Sequence, residues 1–189
     1  MDACRLVALA EPVTSTGPAP GSVPAGVGVI AEVLDRVIAS RLDRAGAAVR
    51  WGIGVGCDDA SAAAHAALAM RTARERGGWL ELATGDPWRD VLLADLVPSL
   101  AALLDDLTPR QAQIAGRVLV NGARQAEVAA ALGVSRATVS VAVARGRLPA
   151  IAGARRAIAS ILAGPPAMAP DGADGRDAGI GAAAAAQQR

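Results

Sequence analysis

Gln125 to Ala144 reads QAEVAAALGVSRATVSVAVA, and the spacing of its apolar residues decides how the C-terminal part folds. Val128 and Leu132 lie one helical turn apart, with the small Ala129 between them where a crossing helix needs room. Gly133 supplies the positive φ of a tight corner at low steric cost. Val134 plugs that corner, Ser135 is a helix N-cap, and Val139 and Val143 face back toward Val128 and Leu132. Arg136, Ala137, Ser140, Val141 and Ala144 are left pointing outward. The pattern predicts a helix-turn-helix whose second helix carries small, polar and Arg side chains at its outward N-terminal end, as entry into a major groove requires.

The flanks extend the pattern. Leu107-Thr108-Pro109-Arg110-Gln111 is a helix start, with Thr108 as cap, Pro109 in the first turn and Gln111 closing a capping box. Ile114, Ala115, Val118 and Leu119 continue that helix to a stop at Asn121-Gly122. Beyond the motif, Ile151, Ile158 and Leu162 mark the buried face of a last helix, and Arg155 and Arg156 lie off it. Charge singles out the same stretch. Residues 107–163 carry eight Arg against Glu127 alone, a net of +7, whereas residues 1–106 have a net of −5 and residues 164–189 a net of −1. The overall net charge of +1 hides this block, which is the electrostatic footprint of a nucleic-acid module. All 19 basic residues are Arg, whose planar fork suits phosphates and guanine edges.

The N-terminal part has mixed periodicity. Arg5–Ala10 reads as a strand, residues 11–28 as a Pro-, Gly- and Ser-rich loop, and 29–44 as a helix ended by Gly46. Val49, Trp51, Ile53 and Val55 alternate with Arg50, Gly52 and Gly54, a strand with one strongly apolar face. Ser61–Arg76 is an alanine-rich helix stopped by Gly77-Gly78, and Trp79–Ala83 a third strand. Pro87 opens another helix that Pro98 is expected to break or kink. The fold class is therefore α+β: a small α/β unit of order β-α-β-α-β over residues 1–85, connecting helices over 86–106, the helix-turn-helix domain over 107–163, and a low-complexity tail over 164–189, predicted disordered and given no function.

Two resemblances follow from these residues. Leu107 to about Arg147 resembles the helix-turn-helix of the sigma-factor region 4 and LuxR-type regulator superfamily, matching its pattern at Ala129, Gly133 and Val139 and in the preceding LTPRQ start. Arg124 departs from the Ser or Thr cap usual there. The resemblance implies double-stranded DNA as partner. More widely, Arg50-Trp51-Gly52-Ile53-Gly54-Val55-Gly56 looks like the RxGIGxG strand of the SatD-like family, which joins a cyclase-like α/β domain to a C-terminal helix-turn-helix, and LVALAEPVTSTG (residues 6–17) looks like its first strand and loop. The acidic GDEF-type hairpin of such domains is missing between Leu42 and Val49. Glu11 would stand alone where paired carboxylates are needed for two-metal chemistry, so the N-terminal part reads as degenerate.

Other chemistry finds little support in the sequence. His65 is the only His, on an alanine-rich helix, so no His-based metal site is expected. Asp58-Asp59 and Asp105-Asp106 read as helix-end charges. Gly52, Gly54 and Gly56 lie inside a strand rather than ahead of a helix, unlike a dinucleotide fingerprint. Cys4 and Cys57 are too few for a disulfide framework and read as reduced thiols. With no secretory pattern and no apolar run of membrane length, the cytoplasm is expected. The sequence thus points to a DNA-binding transcription regulator, with no catalytic residues, metal or cofactor. Base reading falls to Arg136, Ala137 and Ser140, and phosphate contact to Arg124, Thr138, Arg145, Arg155 and Arg156. A homodimer is expected, because one small motif reads few base pairs. The competing readings are a protein-interaction module of the transcription machinery and a nucleotide-sensing remnant in residues 1–85.

Overall fold

The structure is a computed structural model; it describes residues 4–12, 21–24, 27–43 and 48–164. The expected tail therefore lies outside the described residues from 165 onward. The elements run β1 (Arg5–Pro12), β2 (Gly21–Pro24), α1 (Val27–Leu42), β3 (Val49–Gly56), α2 (Asp59–Arg76), β4 (Leu80–Ala83), α3 (Pro87–Asp105), α4 (Pro109–Ala115), a π-helical turn (Gly116–Val120), α5 (Gln125–Leu132), α6 (Arg136–Arg145) and α7 (Leu148–Ala163). This is an α+β fold with the strands confined to the N-terminal part.

The sheet has the order β2-β1-β3-β4. β1 is antiparallel to both β2 and β3, while β3 and β4 are parallel. The expected β-α-β-α-β order is corrected by one strand, since residues 11–28 are not all loop. β1 extends to Pro12, and Gly21–Pro24 pairs along it, with Leu6 opposite Val23. Backbone pairing to a waiting edge formed this strand, and its composition of turn residues hides it.

The alternation in β3 sorts the two faces of the sheet. Trp51, Ile53 and Val55 join Leu6 in a core with α1 and α3, which contribute Ile30, Leu34, Ile38, Leu93 and Val97 among others. On the opposite face Gly52, Gly54 and Gly56 meet the backbone of α2. A Cβ on Gly54 would lie 2.1 Å from the Ala66 amide nitrogen, and one on Gly52 2.6 Å from that of Met70. The glycine repeat exists to let a helix of small residues lie directly on the strand. Ala62 and Ala66 complete that contact, packed against Val7.

The same face ends in a charged cluster. Glu11 is buried and accepts hydrogen bonds from Arg74 Nε (2.8 Å) and Arg50 Nη1 (3.1 Å), with Arg74 Nη2 on its second oxygen. The Arg74 fork, helped by Arg50 and opposed by desolvation, holds the Glu11 carboxyl down from 4.5 to about 2. Glu11 is an ion-pair anchor between β1, β3 and α2.

Pro98 does not break α3, which runs continuously through it. The missing N–H leaves one carbonyl without its helical donor. The buried row Leu93, Val97, Leu100 and Leu104 carries the helix across regardless, a case of tertiary packing outweighing propensity. That row shares its core with Ile151, Ile158 and Leu162 of α7, so one continuous apolar interior runs from the sheet to the C-terminal helices.

Candidate nucleic-acid interface

The helices from Thr108 onward are capped as their sequence dictates. Thr108 Oγ1 accepts from the Gln111 amide (3.3 Å), and Gln111 Oε1 accepts from the Thr108 amide (2.8 Å). α4 ends at Ala115, and the chain continues as the π turn to Val120 before Gly122 turns it at φ 65°. The expected helix through Leu119 is thus helical in path, with its last turn widened. Arg124, the N-cap of α5, has no capping side chain. Glu127 Oε2 instead accepts from the Arg124 amide (2.9 Å), so the one acid of the basic block is spent on a helix start.

Gly133 closes α5 at φ 63° and ψ 33°, with the Val134 amide donating to Ala129 O (3.0 Å). A Cβ there would meet nothing within 4 Å, so the backbone conformation, and not crowding, selects glycine. Ser135 Oγ accepts from the Thr138 amide (3.1 Å) and starts α6. The chain direction bends by 112° between α5 and α6. Val128, Ala129 and Val139 are buried at the crossing, and Leu132, Val134 and Val143 half-buried around it.

All five residues expected to point outward from α6 do so: Arg136, Ala137, Ser140, Val141 and Ala144 are exposed, and their spacing puts them on one helix face. Arg124 is exposed at the start of α5, Arg145 in the last turn of α6, and Arg156 on α7. Thr138 is exposed, with its hydroxyl 2.9 Å from that of Ser135. Arg155 differs: it is half-buried and ion-paired with Asp35 of α1, which ties α7 to the N-terminal part. The sequence reading did not single out Arg147. It is exposed and adopts φ 51° at the α6–α7 junction. Its neighbour Gly146 invites the left-handed conformation in the sequence, yet sits at φ −76°. Gly146 is closely packed instead: a Cβ there would lie 2.9 Å from Leu148 Cδ1 and 3.0 Å from Leu107 Cδ2, contacts that small shifts of those leucine ends would relieve.

The N-terminal candidates resolve into structure. His65 Nδ1 lies 2.7 Å from Val55 O. Asp58 caps α2 through the Ser61 amide (2.7 Å), and that backbone bond lowers its carboxyl below the usual range. Asp105 takes the guanidinium of Arg41, which also lies 5.2 Å above the Trp79 ring. Among the described residues no three His, Cys, Asp or Glu side chains converge as metal ligands, and no single helix is long and apolar enough to cross a membrane.

Two short helices joined at a glycine corner carry exposed arginines against a single acid, and the comparison with known families supports a DNA-binding transcription regulator for this region. Within that class, residues 98–157 match the family model of the TrfB plasmid transcriptional repressor, KORA. The match spans the second half of α3 through most of α7, 60 of the 189 residues. It leaves residues 1–97 outside, and it names neither the SatD-like nor the sigma region 4 family. No curated protein and no solved structure matches the chain.

Proposed function

We propose that the protein is a sequence-specific regulator that binds duplex DNA through a helix-turn-helix, α5 and α6, with α6 in the major groove. The observation that carries this reading is the outward row Arg136, Ala137, Ser140, Val141 and Ala144, exposed together on the helix that starts at the glycine corner. Arg136 is the guanine reader, Ala137 and Ser140 line the same base edges, and Arg124, Arg145 and Arg156 grip phosphates. Thr138 adds a backbone contact to the phosphate side once its hydroxyl turns from Ser135. Arg155 has no part in this grip, because its charge is matched within the fold. Repression, the activity in the matched family's name, suits a module of this kind that covers its operator. A homodimer places two such helices on successive turns of the groove.

Selection of binding sites from random duplexes at a stated salt concentration tests the reading. On the selected site, Arg136→Ala is expected to cost about 1–3 kcal/mol, and on random sequence almost nothing. Arg156→Ala is expected to weaken all duplexes alike and to lower the salt slope by about one. No enrichment of any sequence, or equal affinity of wild type and Arg136→Ala for the selected site, would reject it.

A further inference from the structure

Val141 stands out on the proposed reading face. It is 49% exposed, and among the described residues after Leu92 it is the one large apolar side chain left open to solvent to this degree. Small residues flank it, with Ala137 one turn before, Ser140 beside it and Ala144 nearly one turn after, and the exposed Arg145 follows a full turn on. About half of the valine surface is therefore left open to solvent at the helix surface. It contributes nothing to the core, which is closed on the other side of α6 by Val139.

The floor of the major groove has one apolar feature, the C5 methyl of thymine; the other groups on the base edges are hydrogen-bond donors and acceptors. A branched apolar side chain flanked by Ala137 and Ala144, with the Ser140 hydroxyl beside it, has one complementary target there. We propose that Val141 reads a thymine methyl, so that the recognised half-site holds a T·A pair at one fixed position. This deepens the groove-binding reading and rests on it. The valine methyls and the thymine methyl exclude water from each other, while Arg136 and Ser140 take polar base edges. Cytosine in place of thymine presents an N4 amino donor to the same methyls and leaves it unpaired.

The experiment exchanges the methyl without touching the hydrogen-bond pattern. Each thymine of the selected site is replaced in turn by uracil, which keeps O4 and lacks only the C5 methyl. Binding is measured for the full chain and for Val141→Ala, whose helix content and melting temperature are checked first. The wild type is expected to lose affinity about fourfold at one thymine per half-site, the value of one buried methyl. Val141→Ala is expected to bind the thymine site about as the wild type binds the uracil site, and to show no difference between the two. Uracil tolerated at every position by the wild type, or a thymine preference that survives in Val141→Ala, overturns the assignment and leaves groove binding standing. Failure to select any duplex overturns groove binding and this assignment with it.

Discussion

At the scale of single residues the chain spends its exceptional side chains on anchoring. Glu11 is the clearest case, buried between two arginines that the sequence separates from it by 39 and 63 positions. Its carboxyl is held at about 2 against 4.5 when free. A depressed carboxyl stabilises the fold fully above the unfolded value, and that contribution is lost as pH falls from 4.5 toward 2. Glu11→Gln is expected to cost about 2 kcal/mol at pH 7. That is less than a fully buried pair would lose, because Arg74 keeps about half of its side chain in water, at 53% exposure. Urea unfolding at pH 7, 4.5 and 2.5 checks this. The gap between wild type and variant holds down to pH 4.5 and narrows below it; a gap unchanged at pH 2.5 would remove Glu11 ionisation as its cause.

Secondary-structure elements show where the sequence is readable. α4 to α6 were legible almost to the residue because their signals are local: the Thr108 and Ser135 caps, Pro109 and the Gly133 corner act within four residues. β2 was hidden, because an edge strand of Gly, Ser, Val and Pro draws its order from the neighbouring strand. Gly52, Gly54 and Gly56 were visible as a motif, but their purpose was not, since the α2 backbone that meets them lies in another element. Arg155 reads as a phosphate contact from sequence alone because its partner Asp35 is 120 residues away. The α6–α7 junction adds a misleading local signal, with the left-handed residue one place after the glycine. That gives paired expectations of opposite sign. Gly133→Ala, forced to φ 63° in open space, is expected to lose about 1 kcal/mol. Arg147→Gly, released from φ 51°, is expected to gain about 0.5–1 kcal/mol after the added freedom of the unfolded chain is subtracted. Thermal melts of the two variants beside Arg147→Ala decide it, and a loss in Arg147→Gly would mean that the left-handed arginine is held by its side chain.

Across the whole molecule, the question is whether the proposed reading helix stands on a domain of its own. α7 is the element that answers it. Its Ile151, Ile158 and Leu162 lie in the same apolar interior as Ile30, Leu34 and Leu93. Arg155 pairs with Asp35, and Arg89 of α3 donates to the carbonyl of Gly164 at its C-terminal end. α6 in turn rests on α4, α5 and α7, so its outward row is held up by helices that lean on the N-terminal part. Cutting the chain ahead of Leu107 would expose the inner face of α7 to water, at roughly 1.5–3 kcal/mol for each large apolar side chain uncovered. That is a large share of the 5–15 kcal/mol by which domains are stable. The full chain is therefore expected to unfold in one cooperative step, and residues 107–164 alone to lose most of their helix. The tryptophans make the first part directly measurable. Trp51, Trp79 and Trp88 all lie before α4, so their fluorescence reports the N-terminal part, while circular dichroism follows helices throughout. Coincident transitions by the two probes fit a single unit. A separate helical transition that outlasts the tryptophan signal, or a fragment 107–164 that melts at the temperature of the full chain, would mean that the reading helix is carried by its own neighbours and that α7 leans on α1 without depending on it.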